Sequence, residues 1–140
     1  MLLKKSLDRK EKEKIIKDVC GPSFSIIHKL KQQLFGSPRY RLIQLYPDEK
    51  HVMDSNDVIY CNLELKEKGI ALYFRFMQDE YAIVARYNQT TFQTNQNQLD
   101  LQLGNYIVQL DILSPKSHQT FIQKLIGTKS IYLESTQIPF

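Results

Sequence analysis

The residues of this chain that could do chemistry are few and scattered. The densest group is Asp48-Glu49-Lys50-His51-Val52-Met53-Asp54-Ser55-Asn56-Asp57, which holds four acids and a histidine within ten residues. Carboxylate oxygens suit hard cations such as calcium or magnesium. The spacing departs from that of an EF-hand loop, and the stretch has no glycine for the sharp turn such a loop needs, so it reads as a solvated acidic loop. His28, next to Lys29, has no His, Cys or acid at ligand spacing and reads as solvated. His118 lies about one turn ahead of Phe121 and Ile122, the position of a partly covered structural histidine. Cys20 and Cys61 form no CxxC pair and read as free thiols in a core. The strand acids Glu64, Asp100 and Asp111 alternate with apolar neighbours, which puts them on wet faces, whereas a catalytic acid or histidine would sit buried beside an apolar cavity. The pattern assigns no catalytic residue, no cofactor-binding residue and no metal ligand. Asn88-Gln89-Thr90 matches the N-glycosylation sequon, which a cytoplasmic chain would leave unmodified.

Charge narrows the partners. Residues 1–37 carry nine Lys/Arg against four acids, and residues 38–140 carry ten against eleven, so the net charge of +4 belongs entirely to the N-terminal segment. Lys4 to Lys17 could track phosphates, but acids interleave them and aromatic residues are missing, which describes a solvated helix face. A membrane-surface helix needs a continuous apolar face, and there is none between Leu7 and Ile15. The opening Met1-Leu2-Leu3-Lys4-Lys5 runs into charge and not into an apolar core, unlike a signal peptide, and no apolar run approaches the roughly 18 residues of a membrane span. These features point to a cytoplasmic protein and weigh against nucleic acid and, less strongly, against a membrane surface as partners.

The elements that must position these residues follow from periodicity. Asp8 and Glu11 suggest a capping box for a first helix carrying Ile15, Ile16, Val19 and Cys20 at helical spacing and stopped by Gly21-Pro22. Ser23 or Ser25 opens a second helix with the stripe Ile26, Ile27, Leu30 and Leu34, ended by Gly36-Ser37-Pro38. Strands are expected over 40–46, 58–66, 69–77, 80–87, 91–94, 98–103 and 105–112, with short connections that make sequence neighbours pair antiparallel. Residues 81–87 are apolar on nearly both faces, so that strand is expected to be central or covered by an N-terminal helix. Gln78-Asp79-Glu80 is expected to turn the chain, and Gly104-Asn105 to form a tight hairpin turn with both residues tolerating positive φ. Ser114-Pro115 opens a last helix bearing Phe121, Ile122, Leu125 and Ile126, with Gly127 as its stop. The apolar tail Ile131-Tyr132-Leu133 and Ile138-Pro139-Phe140 is expected to add a strand or meet a partner.

The expected fold is therefore α+β and mainly β: an N-terminal helical extension over 1–37, a strand-rich domain over 38–127 and a tail over 128–140. About seven antiparallel strands followed by one amphipathic helix resembles the pleckstrin-homology-like (PH-like) superfold, especially its bacterial branch. The resemblance implies a partly open barrel in which Phe121, Ile122, Leu125 and Ile126 plug one end against Leu63, Leu72, Phe74, Ile83, Leu101 and Val108. It also implies a binding module for lipid headgroups, peptides or another subunit. Headgroup-binding members place several Lys/Arg on the first strand pair and its loop. Here that loop, Asp48–Asp57, is acidic and the strand offers only Arg39 and Arg41, so protein interaction or self-association is the expectation. The candidate interaction surface is the outward group Tyr73, Arg75, Met77, Val84 and Arg86, since aromatic, Met and Arg side chains favour interfaces. The rival is a cystatin-like or nuclear-transport-factor-like cone with a pocket lined by Tyr60, Tyr73, Tyr81, Tyr87 and Tyr106, serving a small ligand or acid/base chemistry.

Overall fold

A computed structural model describes the backbone of residues 2–4, 9–24 and 36–136, and the side chains of 10–24 and 36–136. In chain order the elements are β1 (Leu2–Lys4), α1 (Arg9–Cys20), β2 (Tyr40–Tyr46), β3 (Tyr60–Leu65), β4 (Gly69–Phe76), β5 (Asp79–Arg86), β6 (Thr90–Thr94), β7 (Gln98–Leu103), β8 (Tyr106–Ile112) and α2 (Pro115–Ser135). Among the described residues the strands form one open antiparallel sheet in the order β1-β5-β4-β3-β2-β8-β7-β6. The seven strands expected from alternation are all present, and the first and last of them, β2 and β8, pair over Tyr40↔Ile112 to Tyr46↔Ile107. The expected second helix and the capping residue Asp8 lie outside the described residues.

Alternation decides which face is buried. Leu99, Leu101 and Leu103 of β7, with Val108 and Leu110 of β8, are at most 1% exposed, while Gln102 and Ile107 between them face out. Leu63, Leu72, Phe74, Ile83, Leu101 and Val108 join one apolar cluster with Phe121, Ile122 and Leu125 of α2. Ile126 does not: it is 51% exposed, at the margin of the α2 face that buries Phe121, Ile122 and Leu125. The helix also runs through Gly127 to Ser135, so Ile131-Tyr132-Leu133 is helical and adds no strand. Tyr132 holds this extension down by packing its ring on Tyr87, with ring centroids 5.6 Å apart.

The outer face of β4 and β5 is covered by α1. Ile16 and Cys20 form a second cluster with Ala71, Ala82 and Val84, which explains why residues 81–87 are apolar on both sides. Gly21 ends the helix with φ +75, and its N–H donates to the Lys17 carbonyl at 2.8 Å. Lys68 N–H then donates to the Cys20 carbonyl at 2.7 Å, tying the helix end to the β3–β4 turn. Gly69 permits the close approach of β4 to β5: a Cβ there would lie 2.3 Å from the Ala85 carbonyl oxygen.

The turns depart from expectation in two places. The β4–β5 hairpin turns at Met77-Gln78, both at positive φ (49 and 68), so Met77 stands at the tip and Asp79 already pairs with Phe76. In the β7–β8 turn, Gly104 has positive φ and Asn105 does not. The sheet edge beside β5 is closed by β1, pairing Leu2↔Ile83 to Lys4↔Tyr81, a strand that three residues of sequence do not announce.

Candidate interaction surface

The five residues singled out from sequence come from β4, β5 and the turn between them, and the structure commits two of them, Val84 and Arg86, to α1. Val84 is 1% exposed under α1. Arg86 folds over the last turn of α1, donating from Nε to the Val19 carbonyl at 3.2 Å and from Nη2 to the Asp18 carbonyl at 3.3 Å. The last carbonyls of a helix lack partners within it, so the guanidinium acts as a C-terminal cap and complements the helix dipole. Met77, 76% exposed, stands apart at the hairpin tip. Tyr73 and Arg75 keep an open side next to each other on the sheet, because the outward direction of a strand residue is legible in sequence and the helix lying across it is not.

Tyr73 and Arg75 belong to a cleft of about 270 Å³ along the edge of α1. Register explains the convergence. Tyr73 pairs with Asn62 of β3, and Arg75 with Glu80 of β5. Tyr60 at the start of β3, Arg39 ahead of β2 and Lys12 from α1 complete the wall. Arg39 stacks its guanidinium over the Tyr60 ring, 5.1 Å from the centroid, where the ring quadrupole attracts a cation. Arg75 Nη2 lies 3.2 Å from Glu80 Oε1, both side chains being more than half exposed. The cleft holds three cations, Lys12, Arg39 and Arg75, against one carboxylate, Glu80. Sequence names Tyr60 and Arg39 for other roles and Lys12 and Asn62 for none here, and does not group them, because they come from three separate parts of the chain.

Behind Tyr73 a polar network is fixed by the sheet. Its phenol donates to Glu64 Oε1 at 3.1 Å, and Lys66 Nζ reaches the same oxygen at 2.9 Å and Ser23 Oγ at 2.7 Å. Alternation puts Lys66 on a wet face; it is 8% exposed, because β3 ends at Leu65 and alternation ends with it. Burial, together with the Glu64 charge, pushes the Tyr73 hydroxyl above its ordinary value, so it stays a neutral donor.

The strand acids are occupied. Glu64 serves the Tyr73–Lys66 network, Asp111 pairs with Arg41 at 3.4 Å, and Asp100 accepts from Gln98 Nε2 at 2.6 Å. In the acidic loop, Asp48 accepts the N–H groups of Val52 and Met53, each at 2.8 Å, and Val52 is buried, so the loop is a folded turn. Among the described residues no group of His, Cys, Asp and Glu has metal-holding geometry. Cys20 and Cys61 are buried free thiols, and burial pushes them up to about 11 and about 12 respectively. Among the described residues no helix is long and apolar enough to cross a membrane.

Comparison with known proteins adds little. No family model and no curated protein matches the chain. The structure is similar to that of inner membrane complex sub-compartment protein 3 from Toxoplasma gondii, with 14% sequence identity and a TM-score of 0.44, over 84% of this chain and 94% of that one.

Proposed function

We propose that the chain is a non-catalytic, cytoplasmic binding module of the PH-like kind that engages a protein partner. The observation that carries this is the cleft beside α1, where exposed Arg39, Arg75 and Tyr60 converge on half-buried Tyr73. Tyrosine and arginine are the side chains that most often dominate protein interfaces when they cluster around a recess. The PH-like reading is supported by the adjacency of β2 and β8 and by Phe121, Ile122 and Leu125 packing against the inner face. A cytoplasmic setting is supported by the two buried free thiols.

The test is affinity capture with immobilised wild-type chain and with an Arg75→Ala/Tyr60→Ala double variant, followed by reconstitution of each captured protein from purified components. A partner that binds the wild type and is lost from the folded variant supports the reading. Partners retained equally by both, or none reconstituted, overturn it.

A further inference from the structure

Resting on the reading of this cleft as a protein-binding surface, we infer that its occupant is an acidic segment of the partner, with a carboxylate seated between Arg39 and Arg75 above the rings of Tyr60 and Tyr73. The chemistry follows from what lines the recess. Three cations from three different parts of the chain face one carboxylate, and that carboxylate, Glu80, engages a single nitrogen of Arg75. A guanidinium has five N–H donors in a planar fork that matches a carboxylate in two parallel hydrogen bonds. Arg39 is held over the ring of Tyr60, which orients its N–H edge without using it. Tyr73 is anchored by Glu64 and by packing against α1, so the cleft floor keeps its form when empty. Asn62, opposite Tyr73 in the ladder, presents an amide beside the same recess. The excess charge belongs to the recess itself, whose lining carries Lys12, Arg39 and Arg75 against Glu80, so it favours an acidic segment.

The experiment uses the full chain, a fluorescein-labelled hexaglutamate peptide read by polarisation, and vesicles of phosphatidylcholine with phosphatidylserine read by co-sedimentation. Because the chain has no tryptophan, Tyr60→Trp supplies a sole indole fluorophore in the cleft while keeping a ring under Arg39. Hexaglutamate should bind at low salt, weaken as salt rises, and shift the indole emission of the Tyr60→Trp variant. Arg39→Gln/Arg75→Gln should weaken it by about tenfold or more. Lys116→Gln, in the first turn of α2 and outside the cleft lining, should leave it unchanged, and matching circular dichroism establishes that each variant folds. Binding that survives the double Arg variant, or leaves the emission unmoved, overturns the inference. So does vesicle binding without hexaglutamate binding, which would make the cleft a lipid site. If hexaglutamate fails while a reconstituted partner still depends on Tyr60 and Arg75, the acidic occupant is refuted and the protein-binding surface stands. If both fail, both fall.

Discussion

Tyr40 on β2 donates its phenolic hydrogen to Nδ1 of His118 on α2 at 2.7 Å, and both residues are buried. The tautomer follows from the other ring nitrogen. Thr94 Oγ1 lies 2.8 Å from Nε2 and donates its own hydrogen to the Gln98 carbonyl at 3.0 Å, so it accepts from Nε2–H. The imidazole is neutral and satisfied on both sides, and it fastens α2 to two strands of the sheet.

This makes stability pH-dependent in a fixed direction. Burial lowers the His118 value in the folded chain below its ordinary 6.5. Below pH 6.5 the unfolded chain takes up a proton that the folded chain resists, so the contribution is complete above 6.5 and is lost as pH falls towards the folded value. Urea unfolding at a series of pH values should show wild-type stability declining more steeply through this window than that of His118→Gln. Equal slopes would refute the assignment.

Tyr40→Phe should cost about 1–3 kcal/mol, because it removes the donor and leaves Nδ1 buried without a partner. The check is the shift of the denaturation midpoint at neutral pH, where the histidine is neutral in both states. A neutral substitution would mean that water reaches the ring.

The two thiols should be inert in the native chain. Both are buried, with values pushed up to about 11 and about 12, so neither presents thiolate at neutral pH. Ellman's reagent should label the folded protein only as fast as it unfolds, and should label both cysteines at once in denaturant. Rapid labelling of Cys20 would mean that α1 lifts from the sheet.

Two glycines should respond in opposite senses. Gly69→Ala drives a methyl against the Ala85 carbonyl and should destabilise strongly, since backbone on both strands would have to move. Gly127 lies within α2 with nothing within 4 Å of its missing Cβ, so Gly127→Ala should stabilise by about 1 kcal/mol. Thermal midpoints of the two variants check this directly.

The β4–β5 tip offers a gain without touching the core. Met77 and Gln78 both take positive φ, which two-residue hairpins usually assign to Asn-Gly. Met77→Asn/Gln78→Gly should raise the thermal midpoint by several degrees. An unchanged or lowered midpoint would mean that the Met77 side chain stabilises the turn.

Much of this architecture is legible in the chain. Period-two alternation in Tyr60–Leu65, Leu99–Leu103 and Tyr106–Ile112 places the strands and their inner faces, because one-sided burial writes itself into sequence. The apolar outer side of residues 81–87 even announces a covering helix. What escapes is set by tertiary contact. Gly127 reads as a stop, yet the chain stays helical because Tyr132 packs on Tyr87 and Lys129 Nζ bonds the Thr90 carbonyl at 2.5 Å. Leu2–Lys4 is too short for any period to show. Of the expected surface, Tyr73 and Arg75 stay open while Val84 and Arg86 go to α1, since two side chains on one strand face look alike until something docks on half of it.

The docking of α1 also has a history in time. Ile16 and Cys20 leave the ribosome well before Ala71, Ala82 and Val84, the residues that cover them, have been made. Through that interval the helix has an apolar side and no sheet to place it on, and its closure spans a loop of about fifty residues. The charged first half of α1, Arg9 to Lys14, then serves a second purpose: it keeps a nascent amphipathic segment dispersed in water until its seat exists.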